Sequence, residues 1–265
     1  ADAVSGSVPE RARALTHTAL EQVQRWLTDQ NASTSRLVIV TTHAVAVTAD
    51  DPIDPITAPI WGLIRSAQAE NPGRFVLIDT DTDHTPALLA AATATGETEL
   101  ALRQGRLHHP RLTRHTTTPT VDDAPVWRND GTVLITGGTG GLGALIARHL
   151  ITHHGIRHLL LASRRGPNAP GATELAHELT HLTPGVTIDI TACDAGDRDA
   201  LATLLTTIPT DRPLRGVIHT AGIGDNALVG ALTPERIDRV FQPKADAAWH
   251  LHELTQDMDL DAFVL

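Results

Sequence analysis

A chain of 265 residues with 41% hydrophobic content is long enough for one large or two modest domains, each with a core of its own. With 31 acidic against 21 basic side chains the net charge is -10, and no basic run exceeds Arg164-Arg165, which argues against nucleic acid as a partner. No apolar stretch approaches the roughly 20 residues that span a bilayer, ADAVSGSVPE lacks a signal pattern, and Cys193 is the only cysteine. A cytoplasmic protein without disulfides or a cysteine zinc site is expected.

Residues 10–29 place Leu15, Ala19, Leu20, Val23, Trp26 and Leu27 on one helical face, and residues 36–47 (RLVIVTTHAVAV) read as a strand. A helix follows at ITAPIWGLIRSAQAE, with Thr57 as N-cap, Pro59 in the first turn, and Ile60, Leu63, Ile64 and Ala67 facing inward. Asn71-Pro72-Gly73 stops it. Strand RFVLIDT, a helix over 86–95 and a hairpin ELALRQGRLHHPRL turning at Gln104-Gly105 complete the first half.

Residues 114–130, rich in Thr, Pro and Asp without apolar periodicity, read as a connection. Strand TVLIT then leads through glycines to a helix with Leu142, Leu145, Ile146 and Leu150 on one side. Strand HLLLAS, a helix near 174–182, strand VTIDI, a helix carrying Leu201, Leu204, Leu205 and Ile208, and strand GVIHTAG follow. Thr233-Pro234-Glu235 starts another helix, which Pro243 should kink or divide, and DAFVL opens one more strand. Short apolar strands alternating with helices predict an α/β fold with a parallel sheet in each half. The expected division is 1–125 and 126–265.

The stretch TVLITGGTGGLG carries the clearest chemistry. A strand that runs into glycines and opens a helix presents unpaired N–H groups at the positive end of a helix dipole, where a pyrophosphate can sit. Gly137 and Gly141 permit the turn and the close approach, and Gly143 lets the helix pack on its strand. About 20 residues further on, where an NAD site places an acid on the ribose, the chain has Ser163-Arg164-Arg165. Forked guanidinium donors suit a 2′-phosphate, so NADPH is expected over NADH. Asp194, in TACDAGD, is placed either to accept from the adenine amino group or to cap a helix.

TGGTGGLG, SRRG, ACDAGD, GVIHTAG and LTPERIDRVFQPKADAAWHLHELT together resemble the ketoreductase domain of a modular polyketide synthase, a relative of the short-chain dehydrogenases/reductases. PIWGLIRSAQAENPGRFVLIDTD and ELALRQGRLHHPRL resemble that family's structural subdomain. The resemblance implies two Rossmann-like subdomains, the first a truncated unit that binds no cofactor and the second the NADPH-binding unit. It implies reduction of a β-ketoacyl chain held as a thioester on the phosphopantetheine of an acyl carrier protein, among neighbouring synthase domains. The cofactor contacts it implies are Gly137, Thr139, Gly140, Gly141, Leu142, Gly143, Ser163, Arg164, Arg165, Asp194, Ala195, Thr220, Ala221 and Gly222. Lys244, the only lysine in the chain, matches the family's catalytic lysine, whose charge favours a phenolate.

In that family a catalytic serine and tyrosine follow the strand that DAFVL begins, whereas this chain stops at Leu265 and contains no tyrosine. An incomplete piece of a reductase, inactive by itself, is therefore expected. A redox-inactive or epimerising domain and a non-enzymatic nucleotide-binding scaffold are the alternatives; the intact glycine loop argues against a family member that serves only as scaffold, since such members commonly lose it, but an epimerase can keep the loop and the nucleotide-binding module stays open. One product class of the family is associated with Leu-Asp-Asp shortly after the HxAG strand end. Here Gly224-Asp225-Asn226 stands there, implying the opposite, A-type class with an L-configured β-hydroxy product.

Other constellations give nothing. Asp79, Asp81 and Asp83 mimic a calcium loop, but His84 and Ala90 stand where Gly and Glu are needed, so a surface acidic loop is expected. The 15 histidines lack a HExxH pattern, so no metal is expected. Ser7, Ser33 and Ser35 lack a GxSxG elbow.

Overall fold

The computed structural model describes residues 6–32, 34–82, 85–114 and 127–265. Contacts group the chain into two compact units, Ala1–Thr118 with Asp225–Asp238, and Pro119–Gly224 with Arg239–Leu265. Ser33, Asp83, His84 and most of the connection at 114–130 lie outside the described residues.

In the first unit, helix α1 (Val8–Thr28) precedes strand β1 (Leu37–Thr42), helix α2 (Ala58–Glu70), strand β2 (Phe75–Thr80), helix α3 (Pro86–Ala94) and the hairpin β3 (Glu99–Arg103) and β4 (Arg106–His108). The sheet order is β1-β2-β3-β4, parallel except for β4. Gln104 and Gly105 take φ of 49° and 76°, the left-handed pair that closes a two-residue hairpin. All six residues of β2 are buried because it lies between two strands. Trp61, not Leu63, joins Ile60, Ile64 and Ala67 on the buried face of α2.

Two expectations are corrected around Asp79. Strand β1 does not reach residue 47: His43 turns with φ 55°, and the Ala44 amide donates to Asp79 Oδ1 at 2.8 Å. Nor is Asp79 part of a surface acidic loop. Its side chain is fully buried, accepting from Thr41 Oγ1 at 2.6 Å and from Arg103 Nη2 at 2.6 Å. Trp61 Nε1 extends the network by donating to Thr41 Oγ1 at 2.8 Å. Arg103 also reaches Asp51, whose carboxyl is held far below the usual range by hydrogen bonds from Thr48 and the Val47 amide.

The second unit runs β5 (Thr132–Thr136), α4 (Gly141–His154), β6 (His158–Ser163), α5 (Ala172–Leu182), β7 (Thr187–Ala192), α6 (Arg198–Thr206), β8 (Leu214–His219), α7 (Pro234–Phe241), α8 (Ala247–Thr255) and β9 (Ala262–Val264), with α7 grouped with the first unit except for its last turn. Its sheet is wholly parallel, in the order β7-β6-β5-β8-β9. The period-2 alternation of a strand divides the core: Val133 and Ile135 pack with α4 and α5, while Leu134 packs with Leu201, Leu204 and Leu251 of α6 and α8. Strand order reverses between β5 and β8, and the crevice at the carboxyl ends of strands beside such a reversal is where open α/β sheets bind ligands.

The inward face expected for α4 is corrected. Gly143, Ala144, Ala147, Leu150 and Ile151 are buried, whereas Leu142 and Leu145 are 59% and 61% exposed. Small residues face the sheet because the glycine loop brings the helix close to it. Pro243 does not divide α7 from α8. The helix continues through a π turn at Gln242–Asp246 that absorbs the missing proline N–H. Among the described residues no helix is long and apolar enough to cross a membrane, and no group of three or more His, Cys, Asp or Glu is arranged to hold a metal ion.

Candidate functional site

Where β5 ends, Gly137 takes φ +67°, and a Cβ there would lie 2.8 Å from the Ala221 amide nitrogen. Only glycine lets the chain turn this tightly against the segment leaving β8. Gly143 serves packing, since its Cβ would sit 2.6 Å from Gly137 O. Helix α4 begins after Gly140 with no side-chain cap, so its first N–H groups remain for a ligand.

Gly137 and Gly140 line one side of a cavity of about 650 Å³. Thr136, Gly137, Thr139 and Gly140 line it from β5 and its loop; Ala162, Ser163, Arg164 and Arg165 line it from the end of β6. Cys193, Asp194 and Ala195 follow β7, and Thr220, Ala221, Gly222 and Ile223 follow β8, with Pro243 of the π turn. Strand β8 ends at His219, short of the expected residue 222, which frees the next residues to line the cavity.

Hydrogen bonds hold the arginine turn to the glycine loop. Thr139 Oγ1 donates to Ser163 Oγ at 2.9 Å, and Ser163 Oγ accepts from the Gly166 amide at 3.1 Å. Asp194 Oδ1 accepts from the Gly196 amide at 3.0 Å; the cap of α6 is Asp197, which accepts from Asp199 and Ala200. Burial pushes the Cys193 thiol up to about 11, with Asp194 and Asp197 adding to the effect, so it is protonated at neutral pH.

Lys244 sits within the π turn, and a Cβ on Gly222 would lie 3.0 Å from its Cε. The Gly222 backbone thus gives the lysine stem its room. His219 Nδ1 is 2.6 Å from Thr136 Oγ1, joining the ends of β8 and β5. Burial holds its imidazole below the ordinary histidine range, with the backbone of Lys244 and Pro243 pulling the other way.

The structure therefore brings Gly137, Thr139, Gly140, Ser163, Arg164, Arg165, Asp194, Ala195, Thr220, Ala221 and Gly222 to one cavity. Gly141, Leu142, Gly143 and Lys244 adjoin that lining without belonging to it, and Gly224, Asp225 and Asn226 lie outside it. Thr136, Ala162, Cys193, Ile223 and Pro243 also line the cavity and are not among the site residues expected from sequence. Each directly neighbours a motif residue at a strand end or the π turn, which was the available signal.

A family model for the Rossmann fold domain of the polyketide synthase extender module SpnB matches residues 1–112, and the KR domain model matches residues 131–265. The chain belongs to the ketoreductase domains of modular polyketide synthases. This ketoreductase domain is 50% identical over 254 residues to polyketide synthase GfsA of Streptomyces halstedii, covering 96% of the chain and 3% of that protein. It is also 50% identical to spectinabilin polyketide synthase system protein NorA' of Streptomyces orinoci, covering 98% of the chain and 7% of the relative. Among solved structures, the first ketoreductase of the tylosin synthase aligns with TM-score 0.81 at 39% identity, over 94% of this chain and 53% of the other. An A-type ketoreductase from a modular synthase aligns with TM-score 0.78 at 41% identity, over 92% and 52%. The ketoreductase domain thus spans about half the length of the solved chains it matches and a few per cent of the synthases. The family is one of oxidoreductases on a Rossmann-like fold with a nicotinamide cofactor.

Proposed function

We propose that this chain is the nucleotide-binding part of a reductase that takes NADPH and reduces the β-ketone of an acyl chain carried as a thioester on an acyl carrier protein. When bound, NADPH supplies the hydride. The observation that carries the reading is the pair Arg164 and Arg165 in the cavity wall after β6, where an NADH site would place an acid. The glycine loop and the first turn of α4 hold the pyrophosphate, and the arginines hold the 2′-phosphate. Lys244 orients the nicotinamide ribose and supplies positive charge that favours a phenolate. The first unit, by this reading, binds no cofactor. Neighbouring synthase domains and the carrier protein are its partners, in the cytoplasm.

The test has two arms. The 265-residue chain should bind NADPH in a fluorescence titration yet consume none above a no-enzyme control when given a β-keto N-acetylcysteamine thioester, because it holds no tyrosine to protonate the alkoxide. Turnover by this chain alone would contradict the assignment of proton transfer. A reductase that joins this segment to a serine and tyrosine at family spacing should turn over. Its failure to do so would favour the second reading, a redox-inactive or epimerising domain.

A second expected result concerns the alcohol. Gly224-Asp225-Asn226 lacks the bulky residue and one carboxylate of the Leu-Asp-Asp stretch, and the remaining Asp225 carboxylate is engaged by Arg236. With that side less guarded, the complete reductase should give mainly the L-configured β-hydroxy product, as an A-type enzyme does. Likeness to A-type ketoreductases at 41% identity supports this. Chiral chromatography decides it, and a predominantly D-configured alcohol would overturn it.

A further inference from the structure

Between β8 and α7 the chain leaves the second unit, and Asp225–Asp238 groups with the first. A single 3-10 turn, Val229–Ala231, is the only regular structure before α7 begins. Leu228 is 69% exposed, but Val229 is only 2% exposed, so its peptide N–H and C=O need partners. Besides a long 3.4 Å bond that Val229 O accepts from the Leu232 amide, those partners are side chains from two different helices. Glu70, the last residue of α2, accepts from the Val229 amide through Oε2 at 2.7 Å. Gln24, on α1, donates from Nε2 to Val229 O and to Leu232 O, each at 2.9 Å, clasping both ends of the turn.

The flanks of the segment are tied as well. Arg236 Nη2 pairs with the Asp225 carboxylate and donates to Asn226 O at 3.1 Å. Asp238 Oδ1 lies 2.8 Å from His17 Nε2 and 3.4 Å from Arg13 Nε on α1. By chain continuity the segment starts right after Ile223 and Gly224, of which Ile223 lines the cavity, and it ends six residues before Lys244. An irregular segment without such ties would sample many conformations.

We propose that Glu70 and Gln24 are positioning residues that fix the Asp225–Leu232 arch and, through it, the Gly224–Asn226 stretch that selects the product alcohol. The first unit then has a task of its own beyond stabilising the chain: it supplies the two side chains that set the conformation of a segment belonging by sequence to the catalytic half. Charge is not essential at Glu70, since what Val229 needs is an oxygen acceptor. At Gln24 an N–H donor is essential, since what it meets are two carbonyls.

Only the stereochemical arm of this inference rests on the reductase reading, so the first arm of the test needs no catalysis. Amide hydrogen exchange is followed in the 265-residue protein, with β5 as the internal monitor of global opening. Glu70→Ala should speed exchange at Val229 at least about tenfold while β5 is unchanged, and Glu70→Gln, which keeps an acceptor oxygen, should restore protection. Gln24→Met should loosen the turn, and Gln24→Glu, which lacks the donor, should not rescue it. Unchanged exchange in Glu70→Ala, or a Glu70→Gln variant as loose as Glu70→Ala, would overturn the anchoring. In the second arm, a reductase carrying this segment together with a serine and tyrosine should lose selectivity between the two alcohols at least about threefold on Glu70→Ala and regain it on Glu70→Gln. An unaltered product ratio beside raised Val229 exchange would overturn the positioning role. An inactive parent reductase would instead count against the proposed function, leaving the exchange result to judge the anchoring.

Discussion

Replacing Arg164 and Arg165 together by aspartate should weaken NADPH binding about 100-fold and leave NADH within a few-fold of its starting affinity. Both arginines are exposed at the cavity wall, so an ordinary surface ion pair there would contribute little. A phosphate dianion differs from a carboxylate partner in its greater charge and its additional acceptor oxygen, and charge-assisted hydrogen bonds of this kind are worth about 1.5–3 kcal/mol each. Losing them, with reversed charge opposing the phosphate, corresponds to about 2–3 kcal/mol, hence the factor of about 100. The turn itself is held independently of the arginines: Ser163 bonds Thr139 and the Gly166 amide, and a Cβ on Gly166 would lie 2.3 Å from the Ala192 amide nitrogen. The loop should therefore keep its shape, and NADH, which lacks the phosphate, reports on that. The effect should shrink as ionic strength rises. Fluorescence titration with both nucleotides measures it, and equal NADPH affinities before and after the exchange would remove the arginines from the site.

The second large effect is on stability. Asp79→Ala should destabilise the first unit by about 3–5 kcal/mol, because it strands the Arg103 guanidinium, whose side chain is only 10% exposed, beside a vacated acceptor. Thr41 Oγ1 and the Ala44 amide lose their acceptor in the same step, and Trp61 loses the orientation of the hydroxyl to which it donates. Asp51 also contacts Arg103, but it sits nearer the surface and cannot replace the fully buried carboxylate. At roughly 4 °C or more per kcal/mol for a unit of this size, the melting transition of the first unit should fall by at least about 10 °C. Calorimetry, with hydrogen exchange at β2 to assign the transition, gives the measurement. A fall of less than about 2 °C would mean that Asp51 carries the arginine alone.

Strands β2, β5 and β6 were legible because each is a short apolar run bounded by turn residues, and the β3-β4 hairpin because Gln104-Gly105 can take the left-handed pair of conformations. The glycine loop and the arginine turn were legible because their chemistry is local: spacing along the chain places them at consecutive strand ends. Asp79 looks like a surface residue in the sequence because a run of alternating acids looks solvated, and only the partner Arg103, from a different strand, reveals otherwise. The inward face of α4 is hidden in the sequence because hydrophobicity favours Leu142 and Leu145, while the close approach set by the glycines favours Ala144 and Ala147. Nothing local marks Glu70 or Gln24, since their partners are far along the chain and are backbone groups, which have no sequence signature. Pro243 was read correctly as a disturbance, but whether a helix breaks or adds a residue to one turn depends on the packing beyond it.

Cys193 and Lys244 are each the only residue of their kind in the chain, and one lines the nucleotide cavity while the other abuts Gly222 in its wall. The protein therefore carries a single thiol and a single lysine amine, two chemically orthogonal handles. A thiol that is 8% exposed and protonated at neutral pH reacts only during excursions that open its surroundings. Its labelling rate by a disulfide reagent becomes a clock for breathing of the cavity, one that a bound dinucleotide would slow, and a fluorophore or isotope label on Lys244 would report from beside Gly222.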